Sequence, residues 1–117
     1  MANPSDFLPL SPASHQILLA LAGRDRHGYA ILKAVDHQTE GAVRLGPGTL
    51  YAAIRRLEDQ GLLGESPWRP DRDLDDERRR YYRLTSLGRE VLRAETDRLD
   101  AAVKLARRQL AQIRRST

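Results

Sequence analysis

The most strongly patterned stretch of the chain runs from Gly46 to Gly61. Leu50, Ala53, Ile54 and Leu57 recur at spacings of three and four, which places them on one stripe of an α-helix. Gly46 suits the N-cap, Pro47 the first helical position, where a missing N–H costs nothing, and Gly61 the left-handed stop. The opposite face carries Thr49, Ala52, Arg55, Arg56 and Asp59. It is small at its start and basic in its middle, as an edge approaching a polyanion must be; the same pattern also describes an ordinary solvated helix face.

The same signals organise the rest. Met1 to Leu10, with Pro4 and Pro9 and little periodicity, is expected to be an arm with a frayed beginning. Ser11-Pro12 repeats the cap-then-proline signature, and Ile17, Leu18 and Leu21, with Ala22 as a further candidate, form the apolar side of a first helix that ends at Gly23. After the loop Arg24-Asp25-Arg26, His27-Gly28-Tyr29 opens a second helix. Its apolar contacts are assigned to Tyr29, Ile31, Leu32 and Val35, before Thr39-Glu40-Gly41 ends it. Beyond Gly61, residues 62–66 read as a strand and residues 79–84 as its antiparallel partner. Pro67, Pro70 and the acids Asp71, Asp73, Asp75, Asp76 and Glu77 between them exclude regular structure, which predicts a hairpin with a long charged tip.

From Thr85, a plausible N-cap, the helical period returns and lasts to the final residues. Leu92, Leu99, Val103, Ala106, Leu110 and Ile113 fall at heptad spacing and define a predicted dimerisation seam. A helix of roughly 29 residues would be about 43 Å long, more than a domain of this size can cover. Glu95, Asp97 and Asp100 lie early and Arg107, Arg108, Arg114 and Arg115 late, which complements the helix dipole and favours antiparallel or crossed pairing.

Composition narrows the class. A chain of 117 residues, 40% hydrophobic and 31% charged, has one modest core and is neither disordered nor large enough for two domains. A formal charge of +4 favours acidic partners, nucleic acid or an anionic membrane. Nearly all of the positive charge is arginine, either because arginine forks phosphate well or because a GC-rich genome encodes it. The absence of cysteine excludes disulfides and thiolate chemistry. No apolar run approaches membrane-spanning length and no leader pattern opens the chain, so the expected location is the cytoplasm, away from membranes.

Three helices followed by a hairpin is the order of a winged helix-turn-helix, and a long terminal helix suits a two-fold dimer. The predicted fold is therefore mainly α with a small β-hairpin: an arm over residues 1–10, a winged helix-turn-helix over 11–84 and a dimerisation helix over 85–117. On this reading double-stranded DNA is the partner and the chain a homodimer. The N–H groups around Gly48 and Thr49 meet a phosphate, while Thr49, Ala52 and Arg55 face base edges. Arg56 contacts DNA or pairs with Asp59 or Asp25. Tyr51 packs between the two faces with its hydroxyl toward backbone or DNA. Arg78, Arg79 and Arg80, with Arg83, clamp phosphates from the wing or pair across strands with its acids. Tyr29 is assigned to the core. Trp68 covers the domain edge or lines an effector pocket. His15, His27 and His37 lack metal-ligand spacing, Ser14-His15 is no catalytic pair because neighbours on a helix point apart, and no cofactor or enzymatic activity is expected. The competing reading is a winged helix used only for protein–protein assembly.

Four segments also carry a family resemblance: His27-Gly28-Tyr29-Ala30-Ile31, Gly46-Pro47-Gly48-Thr49-Leu50-Tyr51, Arg56-Leu57-Glu58-Asp59-Gln60-Gly61-Leu62 and residues 80–89. In that order they resemble the signatures of the PadR family of transcriptional regulators, and the single terminal helix resembles its shorter branch. The resemblance implies a homodimeric regulator, usually a repressor, released in some members by a small aromatic or drug-like effector. The acidic tip departs from the short basic wing common in the family.

Overall fold

The computed structural model describes residues 2–67 and 80–116, with side chains through residue 113. Trp68, Arg78, Arg79 and the acids from Asp71 to Glu77 lie outside the described residues, as do the side chains of Arg114 and Arg115. A 3-10 turn, Pro4–Phe7, precedes α1 (Pro12–Ala22), β1 (Arg26–His27), α2 (Gly28–Gln38), α3 (Pro47–Asp59), β2 (Leu63–Glu65), β3 (Tyr81–Leu84) and α4 (Ser86–Ser116). This is a mainly helical winged helix-turn-helix with a small sheet and a long terminal helix.

The helix boundaries follow from local chemistry. The Ser11 hydroxyl accepts the Ser14 N–H at 3.1 Å and Pro12 occupies the first turn of α1. Gly46 and Pro47 open α3, and Gly61, at φ 78°, turns the chain out of it. After α2 the Thr39 hydroxyl donates to the Val35 carbonyl at 2.8 Å and accepts the Val43 N–H at 3.0 Å, holding the connection to α3 close. The apolar stripes of the three helices, carrying Ile17, Ile31, Ile54 and Leu57, meet in one core with Leu62, Leu84 and Val91.

The sheet has three strands in the order β1-β3-β2, one more than the hairpin expected. Arg26 pairs with Tyr82 and His27 with Tyr81, so the two residues read as loop and helix start form β1. A two-residue strand has no period to detect. Its register turns Arg26 inward, where Nε donates to the Ala20 carbonyl at 2.8 Å and satisfies the end of α1.

The expectation for Tyr29 is corrected: its side chain is 59% exposed. Ile31 and Val35 share the buried face of α2, and position 29 lies about 160° around the helix from the first and about 120° from the second, on the solvent side. The N-terminal arm is more ordered than expected too. Asn3 caps the 3-10 turn, Phe7, Leu8 and Leu10 pack against the core, and the Leu10 N–H donates to the Glu95 carboxylate at 2.7 Å.

Helix α4 begins inside the domain. Thr85 accepts the Gly88 N–H at 3.0 Å and donates to the Gly61 carbonyl at 2.6 Å, joining the start of α4 to the end of α3. A Cβ at Gly88 would stand 1.9 Å from the Leu62 carbonyl oxygen, so only glycine allows this approach. Leu92, placed on the seam by its spacing, is 9% exposed and belongs to the domain's own core. From residue 100 to residue 113 every side chain is exposed, and the chain as a whole extends 65 Å along its longest axis against 36 and 22 Å across.

Candidate nucleic-acid interface

The exposed side of α3 carries Gly48, Thr49, Ala52, Arg55 and Arg56, while Leu50, Ala53, Ile54 and Leu57 are buried behind it. At its start Gly46 offers no side-chain cap, and among the described residues no acceptor reaches the Gly48 or Thr49 N–H. The positive end of the helix dipole is therefore open to an anion. A Cβ at Gly48 would meet nothing within 4 Å, so packing within the chain does not require glycine there.

Neither Arg55 nor Arg56 forms an ion pair among the described residues. Asp25, one partner considered for Arg56, instead accepts a hydrogen bond from the Ser66 hydroxyl. Arg56 borders a small cavity of about 190 Å³ with Phe7, Leu10 and Gln60, so the arm flanks the far end of α3. Tyr51 is half-buried and packs on the start of α2: a Cβ at Gly28 would lie 2.5 Å from its hydroxyl oxygen. Glycine at position 28 is what lets α2 and α3 approach here.

That contact brings a second group beside α3 which sequence reasoning misses. Lys33 Nζ lies 4.7 Å from the centre of the exposed Tyr29 ring, and the His27 ring is parallel to it at 6.4 Å. His27 is fixed in turn, accepting the Ala30 N–H at its Nδ1 at 3.1 Å and meeting Tyr81 edge-on at 5.3 Å. The signal available in the sequence is the four-residue spacing of Tyr29 and Lys33, out of phase with Ile31 and Val35.

On the wing, Arg80 is exposed at the base of β3. Its charge reaches Glu58 on α3, whose carboxyl is pushed above its ordinary value by burial and held back by the Arg80 guanidinium. Arg83 faces away from the buried Tyr82 and Leu84, and the residue opposite it on β2 is Gly64, so it has no cross-strand acid there. Among the described residues no three His, Cys, Asp or Glu side chains are grouped to hold a metal. No helix among them is long and apolar enough to cross a membrane.

The chain matches the transcriptional regulator PadR-like family over residues 17–94, from within α1 into α4. It belongs to that family. It is 44% identical over 80 residues to an uncharacterised 37.1 kDa protein in transposon Tn4556 of Streptomyces fradiae, covering 68% of this chain and 20% of that one. Over 76 residues it is 34% identical to an uncharacterised protein of Lysinibacillus sphaericus, covering 65% and 67%. A transcriptional regulator of Mycobacterium tuberculosis is 38% identical over 69 residues, 50% of this chain and 61% of its own length. The chain thus spans from a fifth to two thirds of the length of these relatives. Among solved structures, a PadR family transcription regulator from Clostridium difficile superposes with a TM-score of 0.67 at 24% identity, covering 86% of this chain and 99% of that one. A PadR-like regulator from Bacillus cereus gives 0.66 at 18% identity, covering 83% and 89%, a likeness of fold.

Proposed function

We propose that this PadR-family chain is a sequence-specific DNA-binding repressor that acts as a homodimer on a (pseudo)palindromic operator. The observation that carries the reading is the outer face of α3: an uncapped helix start, the unfilled space at Gly48, and two arginines on one exposed stripe that form no ion pair among the described residues. The N–H groups of Gly48 and Thr49 take a backbone phosphate, and Thr49, Ala52 and Arg55 read base edges in the major groove. Arg56 and the wing-base arginines Arg78, Arg79 and Arg80 add phosphate contacts. Tyr51 holds the α2 start against α3, and Tyr29 with Lys33 takes a flanking phosphate, the cation steadied over the ring.

The outer part of α4 supplies the second copy. Leu99, Val103, Ala106, Leu110 and Ile113 share a stripe, and Leu110 and Ile113 are each 61% exposed. Two such helices side by side bury these stripes and place two α3 helices on one face of a duplex, with half-sites about one helical turn apart.

Fluorescence anisotropy of the purified chain tests the reading, using DNA from upstream of its own gene beside a scrambled duplex at two salt concentrations. Selective, salt-sensitive binding with two chains per duplex is expected. Arg55→Ala should lose affinity for the selected site by about 1–3 kcal/mol and relax discrimination, whereas Arg80→Ala should weaken all duplexes alike. Equal loss on every sequence from both variants would remove Arg55 from base reading. No binding even at low salt would leave a winged helix serving only protein assembly.

A further inference from the structure

We propose that the cavity between the N-terminal arm, the start of α1 and the far half of α3 binds a tetrahedral oxyanion of the phosphate type, free in solution or carried by a DNA backbone. The free-ion form does not depend on how α3 reads DNA; the backbone form rests on that reading.

The cavity holds about 190 Å³, and Ser11, Ser14, Arg56 and Gln60 line it beside Phe7 and Leu10. That lies below the roughly 300–1,000 Å³ of sites for drug-sized ligands, so it admits an ion and excludes a large organic body. The residue that singles it out is Ser14, which is 6% exposed. Its N–H donates to Ser11 Oγ, but its hydroxyl has no hydrogen-bond partner among the described residues. The hydroxyls of Thr39 and Thr96 each donate to the carbonyl four residues earlier, a common solution in helices. The Ser14 hydroxyl makes no such bond. A hydroxyl this enclosed ordinarily finds a partner, and the cavity that Ser14 lines has the space for one.

Three further donors surround the same space. Arg56 makes no ion pair and the Gln60 amide no hydrogen bond among the described residues. Ser11 Oγ accepts the Ser14 N–H and keeps its own proton to donate. A guanidinium fork, two hydroxyls and an amide thus come from two helices. A carboxylate holds its two oxygens in one plane, whereas a phosphate presents oxygens in several directions and accepts from all of these donors.

The charge has the sign an anion needs. Among the described residues no Asp or Glu lines the cavity. Glu95, reached through the Leu10 N–H, is already paired with Arg98. The positive end of α1 meets the negative end of α3 here, each with about half a charge. The Leu57 and Glu58 carbonyls at that negative end are taken by the Leu62 and Gly61 N–H groups. The two dipoles nearly offset, which leaves the Arg56 charge to decide. Arg56 and Gln60 also lie about 160° around α3 from Glu58, whose carboxyl feels the Arg80 guanidinium of the wing. An oxyanion in the cavity and a phosphate at the wing base would therefore hold opposite flanks of the reading helix.

The test follows the Arg56 Nε–Hε and Ser14 backbone N–H resonances of the full chain during titration with sodium phosphate at constant ionic strength. Planar nitrate and a 20-base-pair duplex from upstream of its own gene serve as parallel arms. Saturable shifts at both residues are expected with phosphate, with Arg55 on the same helix nearly unmoved and nitrate binding roughly tenfold more weakly. Ser14→Ala should raise the phosphate Kd roughly threefold with an unchanged melting temperature; if it melts lower, Gln60→Ala is read in its place, with a rise of about twofold. A duplex that shifts the same two resonances, shields them from phosphate and binds more weakly to Ser14→Ala identifies a backbone phosphate as the occupant. A duplex that binds and leaves them open to phosphate identifies a free ion. Shifts equal at Arg55 and Arg56, no shift at Ser14 with either ligand, or unchanged affinity for both ligands in the variants would overturn the proposal. A chain that binds no duplex but still shows the saturable phosphate shifts would remove the operator reading and leave the ion site.

Discussion

Helix α4 is one uninterrupted element with two different environments. One face of its first ten residues is enclosed by the domain: Gly88 touches the Leu62 backbone, Val91 is in the core, and Glu95 is 1% exposed. Residues 100–113 touch nothing that covers them, although the apolar spacing continues unchanged. Heptad spacing therefore reports which side of a helix is sticky and leaves open what covers it. Leu92 and Leu110 belong to one stripe of alternating fours and threes, yet the first packs on its own domain and the second is 61% exposed. The outer face of α3 is of the second kind, a surface whose composition nothing among the described residues accounts for.

The largest expected effects separate the two parts of α4 directly. Gly88→Ala drives a methyl group into backbone and should lower the unfolding free energy by about 3 kcal/mol, read by chemical denaturation. Leu110→Asp combined with Ile113→Asp should leave the fold of each subunit intact by circular dichroism and weaken self-association roughly 100-fold, about 2.7 kcal/mol, read by sedimentation. A Gly88→Ala protein as stable as the parent, or a double variant that stays fully dimeric, would erase the distinction between the two parts.

The acids of α4 sharpen it at a smaller scale. Glu95 is buried, accepts the Leu10 N–H at 2.7 Å and pairs with Arg98. Asp100 pairs with Lys104 at 2.9 Å, with both side chains more than half exposed. Glu95→Ala strands a buried backbone donor and should cost about 2 kcal/mol, whereas Asp100→Ala should cost no more than about 0.5 kcal/mol. The Arg98 hydrogen bond, supported by that from Leu10, holds the Glu95 carboxyl below its ordinary value of 4.5. A depressed folded-state pKa contributes stability that is complete above the ordinary value and lost as pH falls through the folded one. The parent should therefore lose stability more steeply than Glu95→Gln as pH falls from about 4.5. Parallel curves would mean that the buried pair does not hold the arm.

Much of this architecture was legible in the residues. The cap-proline starts at Ser11 and Gly46, the glycine stops and the apolar stripes mark three helices almost to the residue, because each signal is local. What was hidden depends on partners distant in sequence. β1 exists because β3 passes beside Arg26 and His27, and the arm is ordered because Glu95, 85 residues away, accepts from Leu10. Tyr29 was misread because a tyrosine early in a short helix usually packs in the core, although its phase against Ile31 and Val35 already put it outside.

The smallest effect in stability discriminates best at the candidate interface, and it compares two glycines near the starts of two helices. Gly88 is demanded by the chain, with backbone 1.9 Å from where a Cβ would stand; Gly48 has nothing within 4 Å and an ordinary helical backbone. Glycine within a helix costs roughly 0.5–1 kcal/mol relative to alanine, so Gly48→Ala should raise stability by up to about that amount. If the empty space at Gly48 is where a phosphate or base edge comes against the helix, the same methyl group should lower affinity for the selected duplex several-fold. Melting and anisotropy on one preparation read both quantities. Stability and affinity moving in opposite directions would place the reason for Gly48 in the partner; unchanged affinity would take the start of α3 out of the DNA contact and leave Arg55 and Arg56 to carry it.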